Sequence, residues 1–527
     1  MKKFTKKALA LLMSAIMLLS LAACGDKKED TQKEDTKKED TQNPSGGETA
    51  KNYKKEIVIG HQQDITDFTR YTANAIATYQ TANAVFNGLV KLDAQGNASP
   101  DLALEWSSNA DATEWTFKLR QGVKFHDGGD FTAEDVKFTW DYFSNLENEG
   151  TKVRPFGYEF IKEIVVVDPY TVTFKMNGSC VEWLSFACTD ILSKAAVEKL
   201  GVREGGKIGT GPYKYDKIET GISWSIVRND EYWGEKGITE KFTFMALTDS
   251  NARAMALQSG DIDVMYEGNV SDIAPMMKDS NYKVYEASGT GVIYVGINNQ
   301  SKYGSNQIVR QAIAMAVNRD DIVLSCYEGI GAAISESTIA PTAPGYVETE
   351  TYKYDPAGAK KLLEDNGLGG ITLQLYVYPK YLAIAQVVQA NLKEIGVTVN
   401  IQEWQQSGFS AGIKKDGGYD LFINGVSPNA NLMTAYQTVL TSGQNLTGVN
   451  YFNDAFDKWF ADASASKTME AMQAEFEKMQ HQINKEVPFV PLCTVKLFVV
   501  GPSTFDGLEM RGVGYDIDYS YCYIVEK

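Results

Sequence analysis

Histidine is nearly absent: three residues, His61, His126 and His481, in a chain of 527. Imidazole is the commonest metal ligand and the side chain that titrates near neutral pH, so a histidine-built metal centre or general base has little to draw on. His61 and His126 follow predicted strands and His481 lies in a polar helical stretch, positions that suit structural roles. Cysteine is sparse too. Cys24, Cys180, Cys188, Cys326, Cys493 and Cys522 show no Cys-x-x-Cys or Cys/His spacing of a metal site. Cys180 and Cys188 are close enough in sequence to bridge, but a body this large needs no staples, and free buried thiols are the expectation. Positive charge is in deficit, 51 Lys and Arg against 68 Asp and Glu, which disfavours nucleic acid and anionic lipid as partners of the folded surface.

The motifs of common chemistries are missing as well. Gly201, Gly206 and Lys207 fit a phosphate loop, but Ile208 stands where a Ser or Thr hydroxyl is required. Gly329-Ile330-Gly331 opens a G-x-G whose third position, Ile334, is too large for helix–strand contact around a pyrophosphate. There is no H-E-x-x-H and no G-x-S-x-G, and Asp261 and Asp263 lack the rest of a calcium loop. No cofactor is expected, and the chain reads as a non-enzyme.

What is present begins at the N-terminus. Lys2, Lys3, Lys6 and Lys7 precede an apolar run over 8–21 that is too short for a comfortable membrane span. Leu21-Ala22-Ala23-Cys24 follows and resembles a bacterial lipobox. That resemblance implies cleavage after residue 23, diacylglycerol on the Cys24 sulfur, and tethering to the outer face of the cytoplasmic membrane by two or more acyl chains. The low-complexity run over 27–42 and Asn43-Pro44-Ser45-Gly46-Gly47 offer nothing apolar to bury, so 24–53 is expected to be a solvated tether. Without the leader's four lysines, 47 basic residues face 68 acidic ones. A long charged tether on an acidic lipoprotein suggests a Gram-positive source.

From about Tyr53 the composition is globular, with no further apolar run able to span a membrane. A body of roughly 470 residues exceeds a single core, so two or three lobes are expected. Periodicity predicts strands over 56–60, 115–119, 164–167, 171–175, 262–264, 371–376, 397–402 and 419–423. Helices are predicted over 82–90, 251–258, 309–317, 356–366 and 382–395. Asp168-Pro169-Tyr170 signals a hairpin, and Thr132-Ala133-Glu134-Asp135 opens a capped helix through 142. The alternation predicts α/β lobes with mostly parallel sheets.

The densest signature runs Trp115-Thr116-Phe117-Lys118-Leu119-Arg120-Gln121-Gly122-Val123-Lys124-Phe125-His126-Asp127-Gly128 and on through Phe131-Thr132-Ala133-Glu134-Asp135-Val136. Phe86-Asn87-Gly88-Leu89-Val90 precedes it. After it come Gly209-Thr210-Gly211-Pro212-Tyr213, Arg228-Asn229-Asp230-Glu231-Tyr232-Trp233-Gly234, and the segment from Ala256 to Val264. The stretch from Val309 to Arg319, Tyr354-Asp355-Pro356-Ala357 and Leu392-Lys393-Glu394-Ile395-Gly396-Val397 complete the series. In this order the motifs resemble family 5 extracellular solute-binding proteins, the binding components of oligopeptide-, dipeptide- and nickel-type ABC importers, over essentially the whole body.

The resemblance implies an α/β, periplasmic-binding-protein-like type II (cluster C) fold, with two ligand-binding lobes, a hinge and an extra inserted lobe. The implied boundaries are 54–88, 208–294 and 496–527 for lobe I, 89–207 for the inserted lobe II, and 295–495 for lobe III. Phe117, Leu119, Val123, Phe125 and Val136 of the signature are expected in the lobe II core. In peptide-binding relatives a Tyr after the I-D-V strand and an aromatic in an E-W context line the cleft, which carries over to Tyr266 and to Trp404 after Glu403. Relatives also hold the peptide's α-ammonium with an Asp, but here the segment through Asn424 has Asn429 at that position and Val426 where Trp is usual, with no carboxylate between Asp420 and Asp454. The candidate ligand contacts are therefore Tyr266, Glu267, Trp404, Asn424 and Asn429, with Glu267 an alternative anchoring acid. Peptide is the leading ligand class, then oligosaccharide, then a nickel chelate. The implied partners are a permease and the membrane, through lipid, for a monomeric protein; a surface receptor without a transporter is the alternative.

Overall fold

The computed structural model describes residues 51–527 apart from 74, 94–95, 156, 290, 338, 342–344, 406–407, 410–412, 414–416, 427–432, 434–441, 443–447, 511–516 and 527. Its longest described strand, Phe489–Pro502, belongs to two lobes at once. The first part pairs antiparallel with Val292–Ile297. The second part pairs antiparallel with Tyr282–Ser288 and with Val264–Tyr266. Tyr282–Ser288 and Val292–Ile297 are themselves consecutive, so the chain crosses between lobes twice, between Ser288 and Val292 and near 494–496. The crossings lie side by side, with the Gly289 N–H donating to the Val495 carbonyl at 3.1 Å.

Among the described residues, parallel pairing is confined to two places. Glu56–His61 lies between Lys241–Ala246 and Val264–Tyr266, and Thr372–Val377 lies between Thr398–Glu403 and Leu421–Val426. The other described strand pairings are antiparallel, which corrects the expectation of mostly parallel sheets. A parallel pair needs a long crossover. Helix Ser250–Ser259 supplies one in the first lobe and helix Leu382–Glu394 one in the third. Elsewhere the pairing is antiparallel, through short turns as between Ile161–Asp168 and Thr171–Met176 or between strands far apart in the chain as for Val292–Ile297 with Leu421–Val426.

The inserted lobe is built on an antiparallel sheet of Ala103–Ser108, Glu114–Leu119, Thr171–Met176 and Ile161–Asp168. Trp115, Phe117 and Leu119 alternate inward beneath helix Ala133–Phe143, and Val123, Phe125 and Val136 join the same core, as expected. That helix starts where the Asp135 carboxylate accepts the Thr132 N–H at 2.9 Å, one arm of a capping box. The helix predicted over 82–90 instead runs Ile76–Val85. Residues beyond it are drawn into extended pairing, with the Leu89 N–H on the Ala187 carbonyl and Val90–Leu92 paired to Ala98–Pro100. The strands predicted over 262–264 and 419–423 begin two residues later, at Val264–Tyr266 and Leu421–Val426. The five described cysteines, Cys180, Cys188, Cys326, Cys493 and Cys522, form no disulfide.

Candidate binding cleft

In open α/β sheets, ligands settle outside the carboxyl ends of parallel strands. Here both parallel segments end in polar and aromatic side chains. In the first lobe the ends are His61, Tyr266 and Glu267. Tyr266 is wholly buried, with its ring stacked on His61 at 4.7 Å and 13°. Its hydroxyl reaches the Glu267 carboxyl at 3.4 Å. Tyr266 therefore presents no surface in this arrangement and holds the residue that does. Burial lowers the His61 pKa to about 4, and its ring is occupied by the Gln80 amide oxygen and the Gln63 backbone, so it stays neutral.

Glu267 sits in the left-handed region at φ 50°, uncommon for a residue with a Cβ. Its N–H donates to Phe498 O at 2.9 Å, and its carbonyl accepts from Arg253 Nε at 3.1 Å. The backbone is thus pinned from both sides. Burial raises the Glu267 pKa, opposed by the charges of Arg253 and Lys380 and by the Tyr266 hydrogen bond. Lys380 comes from the third lobe, on the turn Pro379–Tyr381 that directly follows the parallel strand Thr372–Val377. The carboxyl edge of the third lobe thus contributes a positive charge to the field at Glu267, smaller in effect than that of Arg253.

Around Lys380 the third lobe places Tyr378, Tyr381, Trp404 and Asn424. Lys380 Nζ lies 5.2 Å from the Tyr381 ring centre, and Tyr378 and Tyr381 meet edge-on at 5.0 Å. Asn424 Oδ1 accepts from the Tyr378 hydroxyl at 3.5 Å and from the Gly425 N–H at 2.9 Å. Trp404 is half-buried, its ring 5.4 Å from the Tyr376 ring, and its backbone N–H donates to Val377 O at 2.8 Å. The ring packs partly against the lobe core, so it serves both core and edge. Asn429 and Cys24 lie outside the described residues. Sequence reasoning missed Lys380, Tyr378 and Tyr381; a Tyr-Pro-Lys-Tyr turn closing a predicted strand was the available signal.

Several of the recurrent motifs are fully used by the fold. Asn87 donates to both oxygens of buried Asp101 at 3.0 and 3.1 Å and accepts from Thr210 at 3.0 Å. The His126 ring bonds Gly211 O at 3.0 Å and accepts the Gly209 N–H at 3.2 Å, with its pKa lowered to about 4 by burial. Gly209 and Gly211 pass so close to Val85 that a Cβ would lie 2.1 and 2.6 Å from its carbonyl oxygen. Buried Arg310 donates to the carbonyls of Glu486, Gly304 and Ser305.

A family model described as bacterial extracellular solute-binding proteins, family 5 Middle, matches residues 97–447. The dipeptide-binding protein of Escherichia coli (strain K12) is 28% identical over 494 residues, covering 86% of this chain and 89% of its own. The oligopeptide-binding protein AppA of Bacillus subtilis (strain 168) is 25% identical over 543 residues, covering 96% of each. Among solved structures, DppA from Helicobacter pylori in complex with the peptide STSA superposes with a TM-score of 0.72 at 25% identity, over 89% of this chain and 98% of that one.

Proposed function

The chain belongs to the bacterial extracellular solute-binding proteins of family 5, and from that premise we propose that it is the lipid-anchored capture subunit of an ABC importer for peptides. The observation that carries the ligand class is the Glu267 carboxyl at the strand end of the first lobe, reached by the Tyr266 hydroxyl at 3.4 Å, with the charge of exposed Lys380 of the third lobe contributing to its field. A peptide with free ends brings an ammonium and a carboxylate, the complements of these two charges. In a partly desolvated cleft such charge-assisted contacts are the strong ones. The names of the relatives, a dipeptide- and an oligopeptide-binding protein, support the same class.

In this reading Trp404, Tyr378 and Tyr381 offer rigid faces to ligand side chains at small entropic cost. Asn424 and Asn429 contribute neutral hydrogen bonds. Lobes I, II and III meet at 88/89, 207/208, the crossing between Ser288 and Val292 (ahead of the expected 294/295, which would divide the strand Val292–Ile297) and 495/496, and rotation about that crossing and the one at 494–496 closes the cleft and shifts the population seen by the permease. Cys24 carries the lipid that keeps the body at the outer membrane face.

One observation favours a second reading. No carboxylate occurs between Asp420 and Asp454, which suits an uncharged ligand such as an oligosaccharide. Mass spectrometry of small molecules released on denaturing the purified protein separates the two. Peptides with free amino ends support the proposal; a sugar or other compound without an amine overturns it.

A further inference from the structure

Apart from the two strand crossings, a second tie joins distant parts of the chain. The turn that carries Asp111, between strands Ala103–Ser108 and Glu114–Leu119, meets the segment between helices Asp454–Ser464 and Met469–Glu486. Asp111 pairs with Lys467 at 2.5 Å. Ser179 Oγ donates to Ser466 O. Val181 packs against the hydrophobic cluster of the third lobe. These contacts belong to neither the cleft residues nor the crossings.

Both sides are held in place. Ala112 adopts φ 49°, a strained value for a residue with a Cβ. Its carbonyl accepts the Cys180 N–H at 2.9 Å, and the Asn109 side chain accepts the Thr113 N–H at 2.8 Å. Asp111 and Ser179 are thereby fixed as two prongs of one edge. Opposite them, Ser466 Oγ donates to Asp462 O at 3.0 Å, and Thr468 caps the next helix through the Ala471 N–H at 3.2 Å. A strained turn held by side-chain hydrogen bonds is an unusual expense for a loop with no partner.

We propose that Asp111, Ser179 and Val181 with the 464–467 segment form a clasp that biases the opening of the cleft. It rests on the hinge motion proposed above. Rotation about the crossings carries Lys467 relative to Asp111, so the contacts belong to one arrangement and are lost in the other. With Lys467 and Asp111 64% and 57% exposed, the ion pair is a modest, salt-sensitive weight in that balance.

The test is charge reversal in the full chain: Asp111→Lys, Lys467→Asp, the double swap, and Ser179→Ala as a milder variant. Small-angle scattering of ligand-stripped protein and hydrogen exchange of the 109–113 and 464–467 segments read the clasp without any ligand. Each single reversal is expected to change the scattering profile and speed exchange in both segments, and the swap to restore both. Trialanine affinity should move by about twofold to fivefold in the singles and return in the swap. Profiles and exchange identical to wild type in the singles, or a swap that restores neither, overturn the clasp. Failure of trialanine to bind wild type bears on the proposed ligand class alone, since scattering and exchange still judge the clasp.

Discussion

Replacing Glu267 with Gln keeps the side chain's size and its acceptor but removes the charge, and the structure says what that should do. The carboxyl is pushed toward its neutral form by burial, only partly offset by Arg253, Tyr266 and Lys380. An ionised Glu267 is therefore under-compensated until a cation arrives. A charge-assisted hydrogen bond to a ligand ammonium contributes about 1.5–3 kcal/mol, so Glu267→Gln should weaken a free-amino peptide by about 10- to 150-fold. An N-acetylated peptide, with no ammonium to lose, should bind both proteins alike. The pH dependence follows from the sign of the shift. With the folded pKa above the unfolded value, the folded state holds the proton more tightly, so ligand-free stability falls as pH rises from the unfolded pKa through the folded one. Glu267→Gln removes that loss and should be the more stable protein at neutral pH. Binding an ammonium needs the ionised carboxylate, so wild type should release a proton on binding near its raised pKa. Titration calorimetry over a series of pH values above the ordinary carboxylate range, in two buffers of different ionisation heat, measures this release. An affinity of Glu267→Gln for the free-amino peptide equal to that of wild type would refute the role of Glu267; so would undiminished proton release in the variant.

Trp404→Ala should weaken peptide binding by about 1–3 kcal/mol, as for an aromatic anchor; an unchanged dissociation constant with a lowered melting temperature would assign the ring to the core alone. Gly211→Ala should destabilise by about 1–3 kcal/mol, because a Cβ there would lie 2.5 Å from the Val85 carbonyl carbon and 2.6 Å from Ala84 O, and backbone cannot give way as a side chain can. A urea midpoint equal to that of wild type would show that the 209–213 loop relocates freely. Cys24→Ala should move the protein from the membrane fraction to the medium with ligand affinity intact, and retention on the membrane would reject the lipid anchor.

Local pattern was enough for the elements whose partners lie nearby. Alternation at Trp115, Phe117 and Leu119 placed a strand and its buried face, and Asp168-Pro169-Tyr170 placed the hairpin beside it. The cap at Thr132 announced its helix, and the ordered motifs from Phe86 to Val397 pointed to the family that the comparisons then showed. These features depend on interactions within a few residues, or on motifs whose side chains pack into one lobe, so sequence alone specifies them. Pairing direction and the cleft depend on partners far apart in the chain. Pro491 argues against a central strand, yet Phe489–Pro502 is one, because a register shift at Ile293/Tyr294 absorbs the missing donor. Nothing local distinguishes Tyr266 as a buried support from Tyr266 as an exposed contact; the stacking of His61 decides it. Glu267 and Lys380 lie in different lobes, and each by itself is an ordinary charged residue after a strand. Only the crossing of two chain segments brings those strand ends together, and burial of Glu267 within reach of the Lys380 charge turns an unremarkable carboxylate into a candidate site.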